Sequence, residues 1–158
     1  MQQPLLIGWK ERIDFPEWGI HQLSVKIDTG AHSSALGVLH YELKEVPGQG
    51  LLAQIHMPLS RKSPNRVTVF QAAVLRHVVV RSSIGVRETR PLIEATVQLG
   101  PLLKRIRLTL TNRSTMRFPM LLGRTALTGD FVVDVSRKYL LQEPESGMNC
   151  SIRRAEPR

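Results

Sequence analysis

The feature that most limits what this chain can become is the form of its apolar runs. They are short and rich in β-branched residues: LSVKI (23–27), LLAQIHM (51–57), VTVF (67–70), AAVLRHVVV (72–80), PLIEATVQL (91–99), RIRLTLT (105–111) and FVVDV (131–135). Runs of this length and makeup read as strands. IEATVQL and RIRLTLT alternate apolar with polar, the mark of a strand with one wet face, and GPLLK between them suits a hairpin connection. Helical periodicity is confined to GRTALTG (123–129), with a further short helical turn expected in SSALGVLHYEL (33–43) before a strand. The pattern predicts an all-β barrel or sandwich with one short helix near 124–128. It also predicts a single domain over 1–142, an exposed basic loop at SRKSPNR (60–66), and a mobile tail over 143–158, where no apolar period survives. No internal repeat is present.

Charge and cysteine usage narrow the function classes. The net charge of +9 favours an anionic partner. Aromatics make up only 5% and do not interleave with the basic clusters, so a nucleic-acid reader is not expected. No run approaches the roughly 20 apolar residues of a membrane span, and MQQPLLIGWKER has no secretory-signal pattern. The single cysteine, Cys150, cannot form an internal disulfide, which together with these features predicts a reducing, cytoplasmic setting. The histidines are scattered, with neither H-E-x-x-H nor a cysteine pair, and G-x-x-x-x-G-K-S/T is missing. Neither a metal nor a nucleotide cofactor is therefore expected.

The stretch KIDTGAHSSAL (26–36) carries the chemistry. An apolar strand runs into Asp28, and Thr29 and Gly30 then allow a tight turn. Alone, this is either a plain Asp-containing turn or a catalytic carboxylate. Much later comes PMLLGRTAL (119–127), in which Leu121-Leu122-Gly123 leads into the short helix. Asp-Thr-Gly crossed by a later hydrophobic-hydrophobic-Gly resembles the retropepsin branch of the aspartic proteases. The ordered set IGWKERIDFPEWGI, VKIDTGAHSSAL, VRSSIGVRETRPLIEATVQLG, LTLTNRSTM and FPMLLGRTALTGDFVVD is similar to one bacterial retropepsin-like family. That family is often labelled "ATP-dependent zinc protease" and includes the RimB-type proteases. The resemblance runs from about residue 6 to residue 141, interrupted mainly at 43–66. It implies a closed acid-protease barrel, while the sequence supports neither half of the label.

The resemblance also implies roles. Aspartic proteases use two carboxyls, yet Asp14, Asp130 and Asp134 are followed by Phe-Pro, Phe-Val and Val-Ser. The chain holds one half-site, so a twofold homodimer joining Asp28 to its symmetry mate is expected. Thr29 would tie the two loops together, Gly30 would allow close approach, and Ala31 would line the floor. Where retroviral relatives carry an acid after D-T-G-A, this chain has His32, which leaves Arg124 to pair with Glu88, Glu94 or substrate. RSSIGVRETR (81–90) is expected to form the flap, with Gly85 at or near its tip. Arg81, Arg87 and Arg90 then join His32 and Arg124 in a cleft suited to carboxylates. The function implied is endopeptidase action on acidic peptides, with the poly-glutamate tail of a ribosomal protein as candidate substrate. The rival readings are a catalytically inactive dimerisation or binding module and a basic RNA- or ribosome-binding barrel. Trp9 and Trp18 read as packing residues, Asn112 and Arg113 as turn residues, and Arg153, Arg154 and Arg158 as solvated.

Overall fold

The computed structural model describes residues 3–60, 63–82, 84–113 and 117–142. The expected tail at 143–158, including Cys150 and its arginines, lies outside the described residues, as does part of the basic loop at 60–66.

The strands are β1 (Leu5–Gly8), β2 (Lys10–Phe15), β3 (Ile20–Ile27), β4 (Ser34–Gly37), β5 (His40–Val46) and β6 (Gly50–Ser60). They continue with β7 (Ser63–Arg81), β8 (Arg87–Leu99), β9 (Leu102–Thr111), β10 (Met120–Leu122) and β11 (Phe131–Asp134). A 3-10 turn spans Pro16–Trp18, and the α-helix α1 spans Arg124–Leu127. Among the described residues, β2, β3, β10, β4, β9 and β8 pair in that order, and the Asp14–Gln98 pair between β2 and β8 closes them into a barrel. The sheet is mixed, because β3–β10 and β4–β9 are parallel and their neighbours antiparallel. The predicted all-β closed barrel with a short helix near 124–128 is what the chain forms.

The inward positions are those of the alternation. Ile93, Ala95, Val97 and Leu99 of β8 and Ile106, Leu108 and Leu110 of β9 are buried with Ile13, Phe15, Val25 and Leu36. At roughly 1.5–3 kcal/mol for each large apolar side chain, this cluster is the main favourable term in folding. Gly100, with φ of 56°, starts the two-residue turn that brings Leu99 opposite Leu102.

Beyond the barrel, β7, β6 and β5 extend the sheet as a three-stranded wing over the region where the family resemblance breaks. VTVF and AAVLRHVVV are parts of one strand, β7, whose first half pairs with β6 and whose second half pairs with β8. The ladder shifts register between Val74 and Arg76, a bulge that lets one strand serve both sheets. Trp18 is stacked between Phe15 of β2 (5.0 Å) and Phe70 of β7 (4.2 Å), fastening wing to barrel.

Two segments differ from the sequence expectation. Ser34–Gly37 is a buried strand and not a helical turn, because it is clamped between β10 and β9. The other is the N-terminal stretch, where Leu5–Gly8 is too short to show a period and charges obscure that of Lys10–Phe15, yet both are strands. In β2, Glu11 is fully buried and accepts hydrogen bonds from the amides of Gly8 (3.0 Å), Leu140 (2.7 Å) and Leu141 (3.4 Å). β1 lies parallel to β11, with Leu5 opposite Phe131.

Candidate active site

β3 and β10 run parallel with Ile27 opposite Leu122, and the Asp28 amide continues the ladder by donating to Leu122 O at 2.9 Å. Here the strand breaks. Asp28 Oδ1 accepts the Gly30 amide (3.0 Å), and the Ala31 amide donates to Asp28 O (3.2 Å), which folds the loop on its own carboxylate. Asp28 is partly buried, with Thr29 and Gly30 exposed beside it. Asp28 Oδ2 and the Thr29 hydroxyl make no hydrogen bond among the described residues.

Gly123 crosses directly behind this loop. A Cβ there would stand 2.5 Å from Ser33 O and 3.0 Å from Ala31 O, so only glycine fits. Its amide donates to the fully buried Ser34 Oγ at 3.0 Å. The helix begins at once. Arg124 N donates to Ala31 O (2.8 Å), Thr125 N donates to His32 O (3.1 Å), and a terminal guanidinium nitrogen of Arg124 donates to Thr29 O (3.1 Å). Arg124 therefore braces the Asp28 loop through a carbonyl. Neither carboxylate suggested for it pairs with it: Glu88 is bound by Arg90 (2.8 Å), and Glu94 by Arg105 (2.7 Å) and Arg107 (3.6 Å). His32 is exposed, with its ring nitrogen 3.4 Å from Ser33 Oγ.

The segment expected to be the flap is the β7–β8 hairpin. Ser82 N donates to Val86 O (2.9 Å), Gly85 N donates to Ser82 O (2.9 Å), and Gly85 takes the turn with φ of 84°. Arg81 and Arg87 are directly opposite at its neck, both exposed, and no ion pair joins either to a carboxylate among the described residues. Like charges set opposite one another across a ladder repel. The tip is apolar and wet: Ile84 is 84% exposed and Val86 57%. Arg90 lies further in, partly buried on Glu88, whose carboxylate also accepts from the Thr111 hydroxyl (3.3 Å).

One residue of the site was read from the sequence as a turn residue. Arg113 follows β9, its Nε donates to Phe118 O (3.1 Å), and its stem crosses Gly37. Burial pushes its guanidinium below the usual range, the Arg90 charge adds to this, and the Asp28 charge opposes it. Arg113 is thus electrostatically coupled to Asp28, although no contact within ion-pair distance joins them. Only the long-range pairing of β4 with β10 brings it there, and no local sequence signal marks it.

The comparisons agree with this geometry. The family model described as "Retropepsin-like aspartic endopeptidase RimB" matches residues 6–144. A "Probable alpha-L-glutamate ligase" of Desulfotalea psychrophila is 32% identical over 139 residues, covering 87% of this chain and 30% of the relative. A protein of the same description from Parasynechococcus marenigrum is 31% identical over 144 residues, 89% of this chain and 30% of the relative. The chain thus spans less than a third of the length of these relatives. Among solved structures, protein Lpg0085 of Legionella pneumophila, of unknown function, superposes with a TM-score of 0.74 at 24% identity, covering 89% of this chain and all of that one. That likeness bears on the fold.

Proposed function

Because this chain belongs to the RimB-like family of retropepsin-like aspartic endopeptidases, we propose that it hydrolyses peptide bonds in glutamate-rich segments as a twofold homodimer. The observation that carries the reading is the half-site itself: a strand-end carboxylate with one oxygen tied to Gly30 and the other open, on a loop that Gly123 and Arg124 hold rigid.

A second copy supplies the second carboxylate. Two carboxyls about 3 Å apart cannot both ionise, an established property of aspartic-protease dyads. The anionic one takes a proton from a water held between them, the water oxygen attacks the scissile carbonyl, and the protonated one hydrogen-bonds the developing oxyanion. Collapse of the tetrahedral adduct breaks the C–N bond as the leaving nitrogen gains a proton. The Thr29 hydroxyl, without a partner among the described residues of its own protomer, ties the two loops across the axis. The flap closes over the bound peptide.

Three features support an acidic substrate: the net charge of +9, the unpaired Arg81–Arg87 neck, and relatives whose names describe a glutamate ligase. Exposed charge attraction of this kind is screened by salt, so cleavage of a glutamate peptide declines steeply as ionic strength rises. No helix among the described residues is long and apolar enough to cross a membrane.

The deciding experiment mixes wild-type and Asp28→Asn chains and follows cleavage of a poly-glutamate peptide. Asp28→Asn alone is inactive. With a shared dyad, activity follows the square of the wild-type fraction, about a quarter of full activity in an equal mixture after subunit exchange. A linear fall in that mixture would refute the shared centre.

A further inference from the structure

Arg113 is the described group whose surroundings least explain it. It is partly buried and fixed at two points. Its Nε is committed to Phe118 O, and Gly37 leaves just enough room for its stem: a Cβ at residue 37 would stand 2.8 Å from Arg113 Cβ and 3.2 Å from Cδ. The Gly37 amide in turn donates to Pro119 O at 2.6 Å, immediately before the strand whose far end, Leu122 O, holds Asp28. Arg113 is thereby mounted at one end of the short strand β10, whose other end holds the Asp28 loop.

The other partly covered arginines have a carboxylate close by, Glu88 for Arg90 and Asp134 for Arg137. Arg113 has no ion pair among the described residues. Withdrawing a cation from water is costly without an anion beside it. With Nε used, its terminal nitrogens still offer the fork that grips a carboxylate. Glu88 does not meet this need, since Arg90 and Thr111 already share it.

We propose that Arg113 is the carboxylate-binding group of the cleft, taking a glutamate side chain of the substrate next to the bond hydrolysed at the Asp28 centre. The position of that bond rests on the peptidase reading above, whereas the carboxylate site does not. The exposed Arg81 and Arg87 attract acidic chains without sorting them. Arg113 sorts them, because its fixed fork takes a carboxylate delivered to one place.

The test measures binding of a labelled hexaglutamate and a labelled hexaglutamine by anisotropy, on the full Asp28→Asn chain so that nothing is cleaved. The parent binds the glutamate peptide more tightly. Arg113→Gln weakens the glutamate peptide by about tenfold and leaves the glutamine peptide unmoved, as expected for one lost charge-assisted contact. Arg113→Lys, which keeps the charge without the fork, falls between and carries the test should the Gln variant unfold. Equal losses for both peptides, no loss for either, or a parent that does not prefer glutamate would each overturn the proposal. Cleavage is followed separately: a wild-type chain that binds glutamate through Arg113 yet cuts nothing sinks the peptidase reading and leaves this site standing.

Discussion

The floor of the cleft and its flap are built on opposite terms. At the floor, backbone meets backbone. Gly123 lies against Ser33 and Ala31, Gly37 against Pro119 and Arg113, and every strand has neighbours on both sides. In the flap, Gly85 has open space around it, and Ile84, Val86 and Val79 are 84, 57 and 65% exposed. The floor must hold one carboxylate still, so it is made where nothing can give. On the reading proposed above the flap admits and releases a chain, which suits the low, local stability that exposed ladders provide.

Substitutions can break this contrast. The largest effect is expected for Gly123→Ala, whose methyl has no room against the Ser33 carbonyl. It should lower stability by about 3 kcal/mol, read as a fall in melting temperature of roughly 6–12 °C. An unchanged melting curve would mean that the floor is softer than its distances imply. Next is Ser34→Ala, which leaves the Gly123 amide buried without an acceptor and should cost about 1–3 kcal/mol in urea denaturation. Gly85→Ala meets no atom but must hold φ of 84°, so a loss of about 1 kcal/mol is expected. There the more telling readout is slower peptide turnover.

Ile84→Ser sharpens the contrast from the other side. It removes no packed contact, so stability should move by less than about 0.5 kcal/mol, while KM for a peptide substrate rises. The smallest effect is expected on the stem joining flap to floor. The Arg105 hydrogen bond, with the Arg105 and Arg107 charges, holds Glu94 below its ordinary carboxylate range against an opposing burial penalty. A carboxyl depressed in the folded state stabilises it above the unfolded pKa and loses that contribution as pH falls through the folded value. Glu94→Gln should therefore cost a few tenths of a kcal/mol near neutrality, discounted for solvent screening, and nothing in strong acid. Denaturation midpoints of the two proteins measured across that range should converge as pH falls.

The sequence carried the barrel well where one face is wet. PLIEATVQL and RIRLTLT kept their alternation and became β8 and β9. It failed where burial is two-sided or a polar group is enclosed. Ser34–Gly37 has no period because β10 and β9 flank it, and β2 hides its pattern because Glu11 is buried by its amide partners. The Asp28 turn, the Gly123 crossing and the Gly85 turn were legible because each is a local backbone event that the family resemblance put in order. The partner of Arg124 and the position of Arg113 were not, since both depend on segments some 75 or more residues away meeting in the sheet.

The pairing of β1 with β11, and the grip of Glu11 on Leu140 and Leu141, bear on how the molecule is made. The first strand has its mate only from residue 131, and Glu11 finds two of its three amides only at 140 and 141. A nascent chain on the ribosome therefore carries an unfinished seam until almost the whole domain has been synthesised. Stitching the first strand to the last is a closure of high sequence separation, the kind that slows folding and prolongs exposure of sticky surface. A chain stopped short of residue 141 leaves that seam open.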